Sequence, residues 1–485
     1  MDQSRAPYFD ALCRFAALDR ANFHTPGHIQ GKGAHPSFLE AFGAAALRLD
    51  VCPGLADLDG GPRSALAEAQ ILAAEAYGAD RSWFLVNGST VGNYIMLIST
   101  CHPGEVVLTS RNTHKSIISG LVVAGARPVY IPPELDPESH IAHGVTPEAV
   151  ERGLAAHPEA KAVLVVSPTY YGACSDVAGI ADVAHRHGVP LLVDEAWGPH
   201  FPFHPSLPPH ALALGADMVV TGIHKLLGAL LQASMVHVQG PLVDPDRVEV
   251  VAAMIQSTSA SALLRASLDV ARMQMVTEGE ALLDKAICLA DEARDWIESH
   301  PRLSCLGKDL AGQHGVVAID PTRLVVNVTA TGRTGYQVDK VLHDEYLVTM
   351  ELSDFANVLA DVTIGHDRQD LIRLADALRA IADVPVAEGL NRKGFVEEAL
   401  RVLPEQVLSP SQAFHAPQER VPLADATGRI SAEMVATYPP GIPVLVPGER
   451  LTPEMVAHLA LQVAAGGRIV GAADPRLNTI GVVEE

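Results

Sequence analysis

The chain has 485 residues, 48% hydrophobic and 19% charged, a length that allows about three domains and a composition that permits at least one large core. Lysine and arginine number 35 against 57 aspartates and glutamates, a formal charge of −22 spread without any basic block. That balance excludes a disordered chain and argues against a nucleic-acid backbone or an anionic membrane surface as partner. The stretch MDQSRAPYFDALCRFAALDR lacks the apolar run of a secretory signal, and no uncharged stretch is long enough to span a bilayer, so a cytoplasmic location is expected. Cys13, Cys52, Cys101, Cys174, Cys288 and Cys305 form no CxxC pair and no metal-ligand spacing, which reads as reduced thiols and no metal. His185 and His187 read as a solvated helix end.

In chain order, residues 8–20 have the spacing of a short amphipathic helix. The loop FHTPGHIQGKG at 23–33 follows, read as a hinge, an active-site lid or a subunit contact. Ser64 to Tyr77 carries Leu66, Ile71 and Leu72 at helical spacing. Strands are then expected at 83–86, 106–108, 126–130, 161–166, 191–193 and 218–220. Helices alternate with them at 87–100, after His114, at 147–154 and at 177–186. This alternation predicts an α/β architecture, a mostly parallel sheet with helices on both faces. One long helix is expected from the stretch beginning at 255 to about Ile297, leading out of the large domain. A small α+β domain should follow, with strands near 316–320, 323–329, 347–351 and 358–364 and a helix at 335–344. Further helices are expected at 367–381 and 394–401. The run TYPPGIPVLVPGE, 437–449, cannot be an internal strand throughout because its prolines lack ladder donors, and it reads as an extended wall.

Chemistry concentrates at the strand ends. In ALALGADMVVTGIHKLLGALLQASMVHV, 211–238, a short apolar run and a polar turn deliver the single Lys225 into Gly, Leu and Ala. A lysine in such company is costly as a bare cation, so it tends to be paired, neutral or covalently bound, and an imine to an aldehyde removes the difficulty. Upstream, LLVDEAWGPHF, 191–201, ends another apolar run on Asp194 and Glu195, followed by Trp197 and His200. Ligands of α/β sheets bind beyond the C-terminal ends of parallel strands. One end offering a carboxylate and another a lysine suits pyridoxal 5'-phosphate, the lysine for the imine and the carboxylate to keep the pyridine nitrogen protonated. Taken singly, the lysine reads as a helix-start or surface residue and Asp194 as a helix cap. Gly88, Ser89 and Thr90 open a helix after a strand, where unsatisfied N–H groups accept an anion, although a plain cap by Asn87 or Ser89 fits the same residues. Neither the GxGxxG nor the GxxxxGK[ST] pattern is present there. Arg111, His114 and Lys115 gather at the next strand end, where they could face an anionic cofactor or another subunit, with His114 able to stack on an aromatic ring.

Together, TPGH at 25–28, NGST at 87–90, RNTHKS at 111–116, DEAWGPHF at 194–201, HK at 224–225 followed by LLQASMVH, QSTS at 256–259 and YPPGIPVLVPGE at 438–449 resemble the bacterial-type ornithine/lysine/arginine decarboxylases. These are pyridoxal-phosphate enzymes of the aspartate-aminotransferase fold, and the likeness covers nearly the whole chain. The resemblance implies a fold type I large domain with a mostly parallel seven-stranded sheet and smaller α+β C-terminal domains. The expected boundaries are 1–65 for an N-terminal subunit-contact segment, 66–310 for the cofactor-binding domain, 311–400 for the small domain and 401–485 for a C-terminal decarboxylase-type domain. It further implies Lys225 as the Schiff-base lysine, Asp194 as partner of the ring nitrogen and His114 stacked on the ring. Ser89 and Thr90 would be phosphate ligands, with His224 beside the cofactor and Thr258 reaching the neighbouring subunit's phosphate. Gly88, Trp197 and Thr221 complete the cofactor-binding set, and Lys225 or His224 would return a proton to Cα after CO2 leaves. A basic side chain wants a distal carboxylate, for which Glu351, Asp354 and Glu195 are candidates. Arginine is favoured over lysine or ornithine, in polyamine metabolism, and a homodimer with shared active sites over a ring-shaped decamer, because the receiver-like N-terminal domain of the acid-inducible relatives is missing.

The chain departs from the family pattern where Gly222 replaces a phosphate-binding serine, Ala260 and Ala262 replace a proline and a tyrosine, and Ile29 replaces a lysine. An aminotransferase or other lyase on the same fold would share Lys225 and Asp194 yet release no CO2. A homologue that has lost its chemistry would bind the cofactor and turn over none of the basic amino acids.

Overall fold

Seven strands realise the alternation: β1 (Arg81–Leu85), β2 (Val106–Ser110), β3 (Arg127–Ile131), β4 (Ala162–Val166), β5 (Leu191–Glu195), β6 (Met218–Thr221) and β7 (Ser234–Val238). The computed structural model from which they are taken describes residues 1–18, 20–52, 58, 64–384, 403–437, 441–464 and 466–484. The strands lie in one sheet in the order β1-β7-β6-β5-β4-β2-β3. β2 runs parallel to β3 and β4, and β4 parallel to β5, whereas β7 runs antiparallel to both β1 and β6. The mostly parallel seven-stranded sheet is therefore present, with β7 as its reversed member. Strands β2 and β4 to β7 are buried along their whole length, as expected of strands covered on both faces.

Chain contacts group the protein into two units, Met1–Ser99 with Glu195–Leu283, and Thr100–Asp194 with Asp284–Glu485. In the first, the helix Pro7–Ala17 is fixed by the buried Asp269, which accepts the Tyr8 amide at 2.8 Å and pairs with the buried Arg272 at 2.8 Å. The helix Ala65–Tyr77 is capped by Ser64 and stopped by Gly78 at φ +71°. The single long helix expected from 255 begins instead at Ala262 and runs to Glu298, while a separate helix, Pro245–Ile255, ends where it was expected to start. Between them the Ser257 hydroxyl accepts the Ser259 amide at 3.1 Å, and Ser261 accepts the Leu264 amide at 3.4 Å. Short hydroxyl side chains of this kind compete with the helical ladder and favour its ends, which is why the run breaks there.

The second unit carries β2 to β4, most of β5, and the helices Lys115–Ala124, Pro147–Ala156 and Val177–Arg186, the last two capped by Thr146 and Asp176. It also holds an antiparallel sheet in the order Ser304–Cys305, Arg323–Asn327, Asn357–Asp361, Leu352–Ser353. Helices Gly335–Tyr346 and Arg368–Asp383, each opened by a capping box, accompany it as the expected α+β element. Leu324, Val326, Leu342, Val358, Leu374 and Leu378 form its core. The strand expected at 347–351 lies instead at Leu352–Ser353, because Leu347 ends the preceding helix at φ +53°. The strand expected at 316–320 shrinks to Ala318–Ile319 and pairs with Ala173–Cys174 rather than with this sheet.

Of the proline-rich run, Pro443–Leu445 is an edge strand on Val435–Thr437, where a missing N–H is tolerated. Tyr438, Pro439 and Pro440, and the helix expected at 394–401, lie outside the described residues. Arg111, expected to face a cofactor or another subunit, is buried in this wall. Its Nε and Nη2 each lie 3.0 Å from a carboxylate oxygen of Glu449, and Nη1 and Nη2 donate to the Pro443 and Val444 carbonyls at 2.6 and 3.1 Å. Burial raises the Glu449 pKa, and the guanidinium opposes that rise. Among the described residues no helix is long and apolar enough to cross a membrane. Replacing Glu449 by alanine leaves a buried guanidinium without its counter-ion and is expected to lower stability by about 3–5 kcal/mol in urea unfolding. The double change Arg111→Met with Glu449→Leu should recover most of that loss, and equal losses in the two proteins would contradict the pairing.

Candidate active site

The first unit builds the lysine's surroundings. At the end of β6 the Gly222 amide donates to the Ala196 carbonyl at 3.2 Å, and the short helix Ile223–Leu226 begins. Ile223, Leu226 and Leu227 are buried around Lys225, which is itself half-buried. Its Nζ sits 3.7 Å from the ring centroid of the buried Trp197, so the cation is met by the face of an indole. A Cβ added at Gly222 would stand 2.6 Å from the Ala196 carbonyl oxygen and 3.1 Å from both Lys225 Cδ and Ser89 Oγ. The turn has no room for a side chain, and the lysine stem and the serine hydroxyl flank the same point.

His224 anchors the turn from its other side, with Nδ1 2.8 Å from the Ala233 carbonyl and its amide 3.1 Å from the same oxygen. Nδ1 must carry the proton there, leaving Nε2 as a lone pair in the neutral ring. Desolvation lowers the His224 pKa, the Ala233 carbonyl pulls it up, and the Lys225 charge pushes it down again.

Gly88 opens the 13-residue helix Gly88–Thr100 at φ +72°, with no atom within 4 Å of where its side chain would stand. Its own amide is bound to the Gln232 carbonyl at 2.9 Å, so an anion would use the following first-turn amides. Ser89 is buried, its hydroxyl 3.2 Å from that of the fully buried Ser234, and Thr90 is exposed. A primary amine, two hydroxyls and a helix N-terminus around an open glycine form a donor set that fits an aldehyde bearing a phosphate. The Thr221 hydroxyl is bonded to buried His237 at 3.0 Å, and Thr258 is exposed in the turn between the two long helices.

Asp194 and His114 belong to the second unit. Asp194 is 3% exposed, one residue from the end of β5, and its carbonyl accepts the Ser167 amide at 3.1 Å. His114 caps the helix Lys115–Ala124, its Nδ1 2.6 Å from the Ser116 hydroxyl and its ring 6.2 Å from that of Tyr170.

Two of the three candidate substrate carboxylates are occupied internally. Glu195 is buried in an ion pair with His210 and accepts the Ala211 amide at 3.1 Å; burial raises its pKa and His210 opposes the rise. Asp354 accepts the Tyr171 hydroxyl and the Ala356 and Asn357 amides, each at 2.7 Å, and burial raises its pKa. Glu351 is exposed. The structure thus gathers Lys225, Trp197, Gly222 and Ser89, and gives Thr221, Glu195 and Asp354 partners of their own. Sequence reasoning missed Ser234, for which a serine opening a buried strand behind the lysine was the available signal.

Comparison with known proteins identifies the family. A family profile described as Orn/Lys/Arg decarboxylase, major domain, matches residues 6–370, and one described as Orn/Lys/Arg decarboxylase, C-terminal domain, matches residues 393–468. An arginine decarboxylase of Bacillus subtilis is 39% identical over 487 residues, covering 100% of this chain and 99% of that one. The lysine decarboxylase LdcA of Pseudomonas aeruginosa is 28% identical, covering 92% of this chain and 74% of its own. Among solved structures, the lysine decarboxylase LdcF of Francisella novicida superposes with a TM-score of 0.84 at 23% identity over 99% of this chain and 81% of that one, a likeness of fold.

The tight turn gives a test. Gly222→Ser drives Cβ against the Ala196 carbonyl and is expected to lower stability in the absence of cofactor by about 1–3 kcal/mol, as overpacking does. An unchanged thermal midpoint would show that the turn yields without strain.

Proposed function

The chain belongs to the Orn/Lys/Arg decarboxylase family, and from that premise we propose that it decarboxylates L-arginine on pyridoxal 5'-phosphate held by Lys225. The observation that carries the reading is the amine of Lys225 over Trp197, with its stem beside the Ser89 hydroxyl at a turn too tight for any side chain but glycine. When bound, pyridoxal phosphate supplies an aldehyde for the substrate amine and a pyridinium ring that accepts the electron pair left when CO2 departs.

The chain's own residues then have distinct tasks. Lys225 Nζ would hold the aldehyde and, as an ammonium over the Trp197 face, would be the proton donor for Cα. His224 would be the alternative proton carrier only after Nε2 takes up a proton, because its Nδ1 proton is committed to the Ala233 carbonyl. Ser89, Thr90 and the first-turn amides would hold the phosphate, Gly88 leaving them room, and Thr258 would be lent to a second subunit's phosphate in a homodimer. The family resemblance gives Asp194 the ring nitrogen, kept protonated by opposite charge, and gives His114 the ring face, where it limits tilt and orients the bond to be broken. Glu351, which is exposed, remains with Glu195 and Asp354 a candidate carboxylate for the substrate guanidinium. The choice of arginine follows the full-length relative, which is closer in sequence than the lysine decarboxylases. A cytoplasmic role in polyamine synthesis is the setting proposed for the product.

Incubating the pure protein and cofactor with arginine, lysine and ornithine, and weighing the amine formed, tests the assignment. Arginine is expected to be decarboxylated with a kcat/KM at least about tenfold above the other two. Faster turnover of lysine or ornithine would overturn the substrate, and a keto acid without CO2 would overturn the reaction.

A further inference from the structure

The turns that carry Trp197 and Lys225 are both bonded to a cluster of buried rings that the reaction leaves unused. His237 on β7 is fully buried between two hydroxyls, with Nδ1 2.7 Å from Ser82 Oγ on β1 and Nε2 3.0 Å from Thr221 Oγ1, the last residue of β6. Burial, with the charge of His210 adding to it, holds the His237 pKa well below the ordinary imidazole value. A neutral imidazole has one donating and one accepting nitrogen, and a hydroxyl can answer either, so both bonds are satisfied in either tautomer.

The ring of Tyr77 stacks on His237 with centroids 4.5 Å apart and planes 25° from parallel, and its hydroxyl donates to the Pro199 carbonyl at 2.9 Å. Burial, with the Glu195 charge adding to it, raises the Tyr77 pKa, so the phenol keeps the proton it donates. His210 meets both rings edge-on, at 5.5 Å from Tyr77 and 6.0 Å from His237, and is ion-paired with Glu195. Thr221 precedes Gly222 directly, and Pro199 follows Trp197 by two residues. One stack of two rings is therefore hydrogen-bonded to both turns, and a satisfied buried network of this kind rigidifies what it holds.

We propose that the Tyr77–His237 stack is a positioning device that, through Thr221 and Pro199, sets the Lys225 amine against Trp197. The inference rests on the reading of Lys225 as the cofactor lysine. Neither ring touches a reacting atom, so their effect must be on geometry, where a displacement of about 1 Å can cost two orders of magnitude in rate.

The test uses the holoenzyme with Tyr77→Phe, Thr221→Val and Thr221→Ser. The first removes one hydroxyl, the second removes a hydroxyl while keeping the shape, and the third keeps the hydroxyl. Tyr77→Phe and Thr221→Val are expected to lower kcat about tenfold with KM within about twofold, and to shift the pH midpoint of the lysine-linked cofactor absorbance in the same direction. Thr221→Ser, which keeps the hydroxyl, should lose less kcat and shift the midpoint less than Thr221→Val, and cofactor affinity should be retained in Tyr77→Phe and Thr221→Val. If Tyr77→Phe does not fold, the contrast between the two Thr221 variants decides. An unchanged kcat and midpoint in folded Tyr77→Phe or Thr221→Val would overturn the positioning role. So would an affinity loss confined to Thr221→Val, which would assign that hydroxyl to the phosphate. Absence of the absorbance band in the wild type would overturn the cofactor reading, and the positioning role with it.

Discussion

A cationic amine held in an apolar turn must have something to meet it, and one group that does so in this chain is the face of Trp197, 3.7 Å from Lys225 Nζ. Much of the first unit follows from that requirement. Trp197 follows the end of β5 and Lys225 follows the end of β6, so the contact depends on how those two turns approach each other. The approach is set by backbone, through the Gly222 amide on the Ala196 carbonyl, and it is closer than any side chain at position 222 would permit. The same closeness puts Ser89, and behind it Ser234, beside the lysine stem.

The Gly222 departure from the family pattern thus acquires a physical meaning. The resemblance implies a phosphate-binding serine at this position; the glycine removes that hydroxyl but lets the turn sit directly on Ala196. Ser89, steadied by Ser234, remains as a buried donor at the helix start, with Thr90 exposed beside it. The acidic residues that looked suited to a basic substrate show the opposite lesson. Glu195 and Asp354 are drawn into internal networks because a buried carboxylate without partners would be too costly, and their chemistry is spent on holding His210 and Tyr171.

The α/β alternation and the strand-end placement of Lys225, Asp194 and Ser89 were legible in the sequence, because each depends on an apolar run followed at once by polar residues. What escaped depends on neighbours far away in the chain. Strand β7 reads as an apolar stretch behind the lysine, and its reversed direction emerges only from its pairing with β1 and β6. Ser234 and His237 acquire their partners through that pairing. Arg111 carries no sign that its counter-ion is Glu449, 338 positions away. The break between Ile255 and Ala262 was visible as QSTSAS, yet the helical spacing on its far side outweighed it.

The account stands or falls on which side chain bears the coenzyme. Reducing the protein with borohydride in the presence of pyridoxal phosphate and mapping the labelled peptides reads this directly. The account requires the adduct on Lys225, within the peptide that follows His224. An adduct on another lysine such as Lys32 or Lys115, or no adduct at all, would contradict it.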